Sequence, residues 1–250
     1  MKVVEYLHHI QAEERASRDL DYVSYLQRCH VLRIYFENWD ILNRIPLSLK
    51  EEDLIEKLVH RRRGGVCYEL NGLFYLLLKE LGYDVVLTLG TVLQRDGNWA
   101  LEDGHMFIIV VWEHEEYLVD VGFGGHSPRL AVPLDGREVR DTDGDYRVIR
   151  EGNMLYLQKK TEAEWFILYR FEKGRKAWTL TDIEPICVLT ETSPQSIFNR
   201  MIFFSRVYEN GRVTLLGDTL IEVENDHMEK RKLVGEEIKE AAKRYFQICI

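Results

Sequence analysis

At 250 residues the chain is long enough to bury a large core in two or three subdomains. A balance of 46% hydrophobic and 30% charged residues is that of an ordinary globular protein. The formal net charge of -9 excludes a general nucleic-acid binder, whose phosphate contacts need a basic surface.

No apolar run approaches the ~18–20 residues of a membrane helix, so no membrane partner is expected. The start of the chain, Met1-Lys2-Val3-Val4-Glu5, lacks the apolar stretch and small-residue cleavage site of a secretion signal. A cytoplasmic location with reduced thiols is therefore expected. Cys29, Cys67, Cys187 and Cys249 are widely spaced, and none makes a C-x-x-C pair. The histidines at 8, 9, 105, 114 and 126 show no metal-ligand spacing, and no metal is expected.

Residues 1–84 read as helical. Leu20 to Ile34 carries a mostly helical pattern, and Ser48 with Glu51 three residues on reads as a capping box before Leu54, Ile55, Leu58 and Val59. Between them Tyr35-Phe36-Glu37-Asn38-Trp39 is an aromatic and acidic knot, read as core packing at a helix end. Next comes Arg63-Gly64-Gly65-Val66-Cys67. Behind it Val66, Leu70, Leu73, Phe74, Leu77, Leu78 and Leu81 share one helical face, and Gly82 marks a stop. Cys67 thus falls in the first turn of a buried helix, where the dipole and the nearby Arg61, Arg62 and Arg63 favour a thiolate. Two readings stand at this point: a nucleophile, or a small buried hydrophobe at a helix start.

From Tyr83 the texture becomes β. Val85 to Leu89 is β-branched and apolar, and Met106 to Trp112 reads as a strand buried on both faces. A polar turn at 113–116 leads back through Tyr117 to Val121. Asp96-Gly97, Asp135-Gly136 and Asp143-Gly144 mark turns. Antiparallel β from about 85 to about 185 predicts a barrel. Ser193, with Pro194 after it, is read as the cap of a short helix. Met201–Tyr208 and Arg212–Val223 are read as two strands around Asn210-Gly211. Glu236 to Tyr245 reads as a helix and Gln247–Ile250 as a terminal strand.

A cysteine nucleophile needs a base and a group to orient that base. Asp120 lies between Val119 and Val121, and a charge in an apolar strand needs a partner. His105, at the start of the preceding strand, is one. A turn centred between Trp112 and Glu113 sets His105 directly opposite Asp120. A turn at His114-Glu115 leaves them on one face about four positions apart, a gap that a bulge closes. The alternative is a capped aspartate and a loop histidine.

Arg63-Gly64-Gly65-x-Cys67-Tyr68-Glu69-x-Asn71, then Gly104-His105, then Leu118-Val119-Asp120-Val121-Gly122-Phe123-Gly124 together resemble the arylamine N-acetyltransferase family. Phe36-Glu37-Asn38, Ser193-Pro194-x-Ser196-x-Phe198 and Gly211-Arg212-x-Thr214-Leu215 extend the resemblance over nearly the whole chain. It implies an α+β fold with a cysteine-protease-like core: a helical bundle over 1–84 carrying the nucleophile, a β-barrel over 85–185 carrying His and Asp, and an α/β lid over 186–250. It implies a triad of Cys67 as acyl-accepting nucleophile, His105 as base and Asp120 as the group that orients it. The implied reaction is ping-pong acetyl transfer from acetyl-coenzyme A to an aromatic amine or hydrazine through an acetyl-cysteine.

By the same resemblance Phe36 and Phe123 line the acceptor slot. The Gly122–Gly125 loop and the Phe203–Leu215 segment contact coenzyme A, with Gly124, Gly125, Arg206 and Thr214 singled out. Arg129, Arg200 and Arg212 are nearby in sequence and read as solvated, and His126 as a loop residue. Glu37 and Arg63 are expected to pair and hold the bundle against the catalytic turn. The chain departs from the family pattern at Tyr35, where proline is usual, at Val66, where an aromatic is common, and at Leu89-Gly90-Thr91-Val92, which lacks an arginine. These departures bear on the acceptor pocket. Competing readings are an amide synthase, a cysteine hydrolase or transglutaminase-like enzyme with the same triad, and a non-catalytic binding module.

Overall fold

The computed structural model describes residues 3–161, 164–174, 177–225 and 227–250. The fold is α+β. Five helices come first: α1 (Val3–His9), α2 (Leu20–Arg33), α3 (Trp39–Leu42), α4 (Glu51–Leu54), which runs into a π-helical turn over Ile55–His60, and α5 (Cys67–Glu80). Helix α2 starts where Asp19 accepts a hydrogen bond from the Tyr22 amide at 2.9 Å. Helix α5 is apolar over most of its circumference and is the centre of the core, with Leu70, Leu73, Phe74, Leu77 and Leu78 buried. It ends as predicted, at Gly82 with φ of 87°. Ser48 does not cap α4. Its hydroxyl donates to Asp53, and the helix starts after Lys50 without a side-chain cap.

Eight antiparallel strands follow: β1 (Asp84–Val92), β2 (His105–Trp112), β3 (Glu115–Val119), β4 (Val132–Pro133), β5 (Val139–Asp141), β6 (Gly144–Glu151), β7 (Met154–Thr161) and β8 (Glu164–Glu172). Their order is β4-β3-β2-β1-β8-β7-β6-β5, a sheet curled into a nearly closed barrel around Phe107, Leu118, Tyr146, Leu157, Tyr169 and Phe171. The outer face of β1 and β2 packs on α5. Beyond β8 the expected strand does not continue to 185. Residues Leu180–Thr192 form α6, started by a reciprocal capping box in which Thr179 and Asp182 bond each other's amides. Ser193 closes α6 instead of opening a new helix: its amide bonds back to the Leu189 carbonyl.

The C-terminal sheet is a meander of β9 (Phe203–Tyr208), β10 (Gly211–Leu216), β11 (Thr219–Glu224) and β12 (His227–Lys232), covered by α7 (Glu236–Phe246). The single strand expected over Arg212–Val223 is thus two, split by a turn at Gly217. The expected terminal strand is absent. Gln247 adopts a left-handed conformation that ends α7, and Ile248 is buried in the same core as Phe246. No helix among the described residues is long and apolar enough to cross a membrane.

The knot at Tyr35–Glu37 joins the parts. Phe36 exchanges two backbone hydrogen bonds of 2.9 Å with Ser205 of β9, while the Glu37 amide bonds the Gly65 carbonyl at 3.0 Å. A side chain at Gly64 would stand 2.2 Å from the Tyr35 carbonyl, so only glycine permits this approach. Glu37 and Arg63 pair as expected, at 2.5 Å, and Arg63 also meets Asp40 at 3.1 Å. Arg63 is therefore engaged in this network. Lys57, from the π-helical turn, bridges Asp40 and Glu69 at 2.7 Å each. Burial opposes charge on Lys57, but Glu69, Glu37 and Asp40 outweigh it and hold the amine protonated. Replacing this cation, Lys57→Met, leaves the buried Glu69 carboxylate without its ion-pair partner and Asp40 with Arg63 alone. The expected loss is about 3–5 kcal/mol of unfolding free energy in urea; an unchanged midpoint would show that the network does not hold the bundle.

Candidate active site

The site forms where the start of α5 meets the open end of the barrel. Val66, extended at φ -88° and ψ 174°, turns the chain into α5, and its amide is bonded by Glu69 Oε2 at 3.0 Å. Cys67 is the first helical residue and is buried. The first-turn amides of a helix have no intrahelical carbonyl to bond, so they face whatever stands before it.

His105 opens β2, and Asp120 follows the last residue of β3. The hairpin between them has its turn midway between the two sequence alternatives. Trp112 pairs with Glu115, and Glu113 and His114 make the turn at φ 49° and 68°. Continuing that register puts Asp120 level with Phe107, two residues along the same face from His105, and no bulge is needed. His105 Nε2 bonds Asp120 Oδ2 at 2.7 Å. Cys67 lies close enough to the imidazole to help hold its proton.

Asp120 is wholly buried, and its carboxylate is filled. Oδ1 accepts from Asn71 Nδ2 at 2.9 Å and from the Gly122 amide at 2.8 Å. Oδ2 accepts from His105 and from the Tyr169 hydroxyl at 2.9 Å. Two oxygens with about four lone-pair sites have four donors. Asn71 is fixed in turn, donating also to the Met106 carbonyl at 2.7 Å and accepting from the Val121 amide at 3.0 Å. Gly122 lies where a Cβ would be 2.6 Å from Asn71 Nδ2 and 2.8 Å from Cys67 Cα.

Burial favours the neutral form of both partners, yet the pair overrides it. On His105 burial works downward, but the Asp120 carboxylate, its hydrogen bond and Cys67 lift the pKa to about 10. On Asp120 burial works upward, but His105, Asn71 and the Gly122 amide bring it below the usual carboxylate range. The proton of the pair belongs to the histidine.

Sequence reasoning gave no task to two tyrosines. Tyr169, on β8, bonds Asp120 and sets its ring 4.8 Å from that of His105. An inward tyrosine in an alternating strand carries no signal that separates it from core. Tyr68 donates to the Gly104 carbonyl, just before His105, at 2.8 Å and bonds Thr190 of α6 at 2.8 Å.

Of the other expected residues, Phe123 stands edge-on to His105 at 4.9 Å. Phe36 is buried against the stacked rings of Phe198 and Phe203, with its Cβ near Gly124. Gly124 and Gly125 form a 3₁₀ turn against Ser205, whose hydroxyl bonds Thr214 at 2.8 Å, so Thr214 is on the same side. Arg206 is not. One residue on from Ser205, it points to the opposite face of β9, bonds the Tyr245 carbonyl at 3.1 Å and covers Tyr35 and Tyr208.

The N-acetyltransferase family profile matches residues 19–250. An arylamine N-acetyltransferase of Escherichia coli is 31% identical over 91% of this chain and 82% of its own length. The crystal structure of an arylamine N-acetyltransferase from Bacillus cereus, whose catalytic triad is Cys-His-Glu, superposes with a TM-score of 0.90 at 26% identity, covering 100% of both chains. That of Mycobacterium marinum in complex with coenzyme A gives 0.89 at 31% identity over 99% of this chain and 93% of that one.

The shifts fix a pH dependence. Folding raises the pKa of His105, so the stability its proton supplies is complete below the unfolded value of ~6.5 and is lost as pH rises through about 10. Asp120 is lowered, so its contribution is present above ~3.9 and is lost as pH falls through its folded value. Unfolding free energy in urea is expected to decline from pH 6.5 to 10, and to decline less in Asp120→Asn; equal slopes would deny the coupling.

Proposed function

The chain belongs to the arylamine N-acetyltransferase family, and from that premise we propose that it moves the acetyl group of acetyl-coenzyme A to the nitrogen of an arylamine or arylhydrazine through an acetyl-Cys67 intermediate. The observation that carries this reading is the line Cys67–His105–Asp120 at the first turn of a buried helix. Cys67 as thiolate attacks the thioester carbonyl. The bond from that carbon to the coenzyme A sulfur breaks, and the departing thiolate takes the proton held by His105. First-turn amides of α5 face the oxyanion. In the second half an amine attacks acetyl-Cys67, gives its proton to His105, and the Cys67 thiolate leaves. Exchange of one thioester for another is nearly balanced, and amide formation drives the second step.

Asp120 acts through His105: it fixes the ring so that one nitrogen meets Cys67 and keeps the imidazolium charged. Phe123, edge-on to His105, and Phe36 are assigned as walls of the acceptor slot. Gly124, Gly125 and Thr214 are assigned to coenzyme A; Arg206, on the far face of β9, is withdrawn from that set.

Incubation with acetyl-coenzyme A followed by intact-mass measurement is expected to give one added acetyl group. That group should be absent in Cys67→Ala and discharged by an aryl hydrazine. An unmodified protein would favour the hydrolase, the amide synthase or an inert module instead.

A further inference from the structure

In the motif Phe36-Glu37-Asn38 the third residue has no assigned task. Asn38 stands at the N-cap of α3, a position where asparagine usually bonds the first-turn amides. Here it makes no such bond. The Trp39 amide is held by Glu37 Oε2 at 2.7 Å instead, and the Asn38 side chain, 1% exposed, turns away from its own helix. Nδ2 donates to the Phe198 carbonyl at 2.7 Å and to the Met201 carbonyl at 2.9 Å. Oδ1 accepts from the Phe203 amide at 2.8 Å. All three partners belong to one segment, the loop between α6 and β9. Two of them are the backbone groups of Phe198 and Phe203 themselves.

The rings on those two residues form a pair. Phe198 and Phe203 stack with centroids 5.9 Å apart and an interplanar angle of 9°. The Phe36 ring leans on both, at 5.6 and 5.1 Å. Phe36 is held by its backbone, bridged to Gly65 on one side and Ser205 on the other, and Gly65 is two residues before Cys67. Phe198 and Phe203 are only half-buried and keep open surface. Asn199 ties their loop to the end of α6, donating to the Glu191 and Ser193 carbonyls at 3.0 and 2.9 Å. Asn38 ties it to the bundle, two residues from Phe36. The separation of the stacked pair from Phe36 thus depends on one buried amide.

We propose that Asn38 is a positioning residue for the acceptor: by fixing the Phe198–Phe203 pair against Phe36 it sets the wall that favours a nitrogen nucleophile carrying a flat ring over one without a ring. The proposal rests on the acetyl-transfer reading above and on the place given there to Phe36. Asn38 acts through the backbone of Phe198 and Phe203. Asparagine suits the task because one planar group offers two donors and an acceptor. Aspartate has the same shape but no proton for either carbonyl, and it would set a second buried charge beside Glu37.

The test compares wild type with Asn38→Ala and Asn38→Ser. Each protein is charged with acetyl-coenzyme A, and loss of the acetyl group is followed by intact mass with two acceptors, phenylhydrazine and hydrazine. The expected result is a preference for phenylhydrazine that falls about tenfold in both variants, through a raised KM, while discharge by hydrazine is unchanged. A general structural defect slows both acceptors alike. An unchanged preference, or an equal loss on both acceptors, overturns the proposal. If neither variant folds, Phe198→Leu decides the matter, because it removes one ring of the pair and leaves the Asn38 bonds to the backbone in place. It must lower the same preference, and a preference equal to that of wild type overturns the proposal. A wild type that takes up no acetyl group refutes the acetyl-transfer reading and the proposal with it; an adduct that forms and shows an unaltered preference refutes the proposal alone.

Discussion

A carboxylate with no exposure to water holds this site together. Asp120 has no solvent to stabilise its charge, and isolated burial of that charge would be prohibitive. Its stability comes from four donors drawn from four places: Asn71 on α5, His105 on β2, Tyr169 on β8 and the Gly122 amide. A filled network of this kind specifies one arrangement, because losing any member leaves a buried group unpaired. The barrel and the bundle are thus registered on each other at the point where Cys67 begins its helix.

The rest of the architecture extends that registration. Lys57 and Arg63 gather Glu37, Asp40 and Glu69, and Glu69 also holds the Val66 amide that turns the chain into α5. Phe36 hydrogen-bonds the third part, at Ser205, to the same segment. Tyr68 ties the helix to the approach to His105 and to α6. Cys67, His105 and the turn at Gly124 are in this way positioned by elements far apart in sequence.

Much of this was legible in the sequence. The helical face from Leu70 to Leu78 fixed α5 and placed Cys67 at its start, and the cost of a lone charge between Val119 and Val121 pointed to a partner for Asp120. The hairpin register was not legible, because Glu113-His114-Glu115-Glu116 accepts a turn at several positions; only pairing across the barrel selects one. Nearness in sequence grouped Arg206 with Thr214, but it ignores the alternation of a strand, which sends Ser205 and Arg206 to opposite faces. Helix α6 was masked by Pro185, a helix breaker that its fold tolerates. Ile248 and Ile250 are β-branched and apolar, which suits a strand as well as the buried tail they form. Tyr169 sits in a strand whose pattern is that of core, and its chemistry emerges only when the barrel brings distant residues to it.

The central claim is that Asp120 keeps the His105 imidazole charged beside Cys67 at neutral pH. Nitrogen NMR of histidine-labelled protein, titrated from pH 5 to 11, reads that ring directly. Both ring nitrogens of His105 should remain protonated through pH 7, with the transition near 10. A transition at or below the ordinary value of ~6.5 would contradict the account.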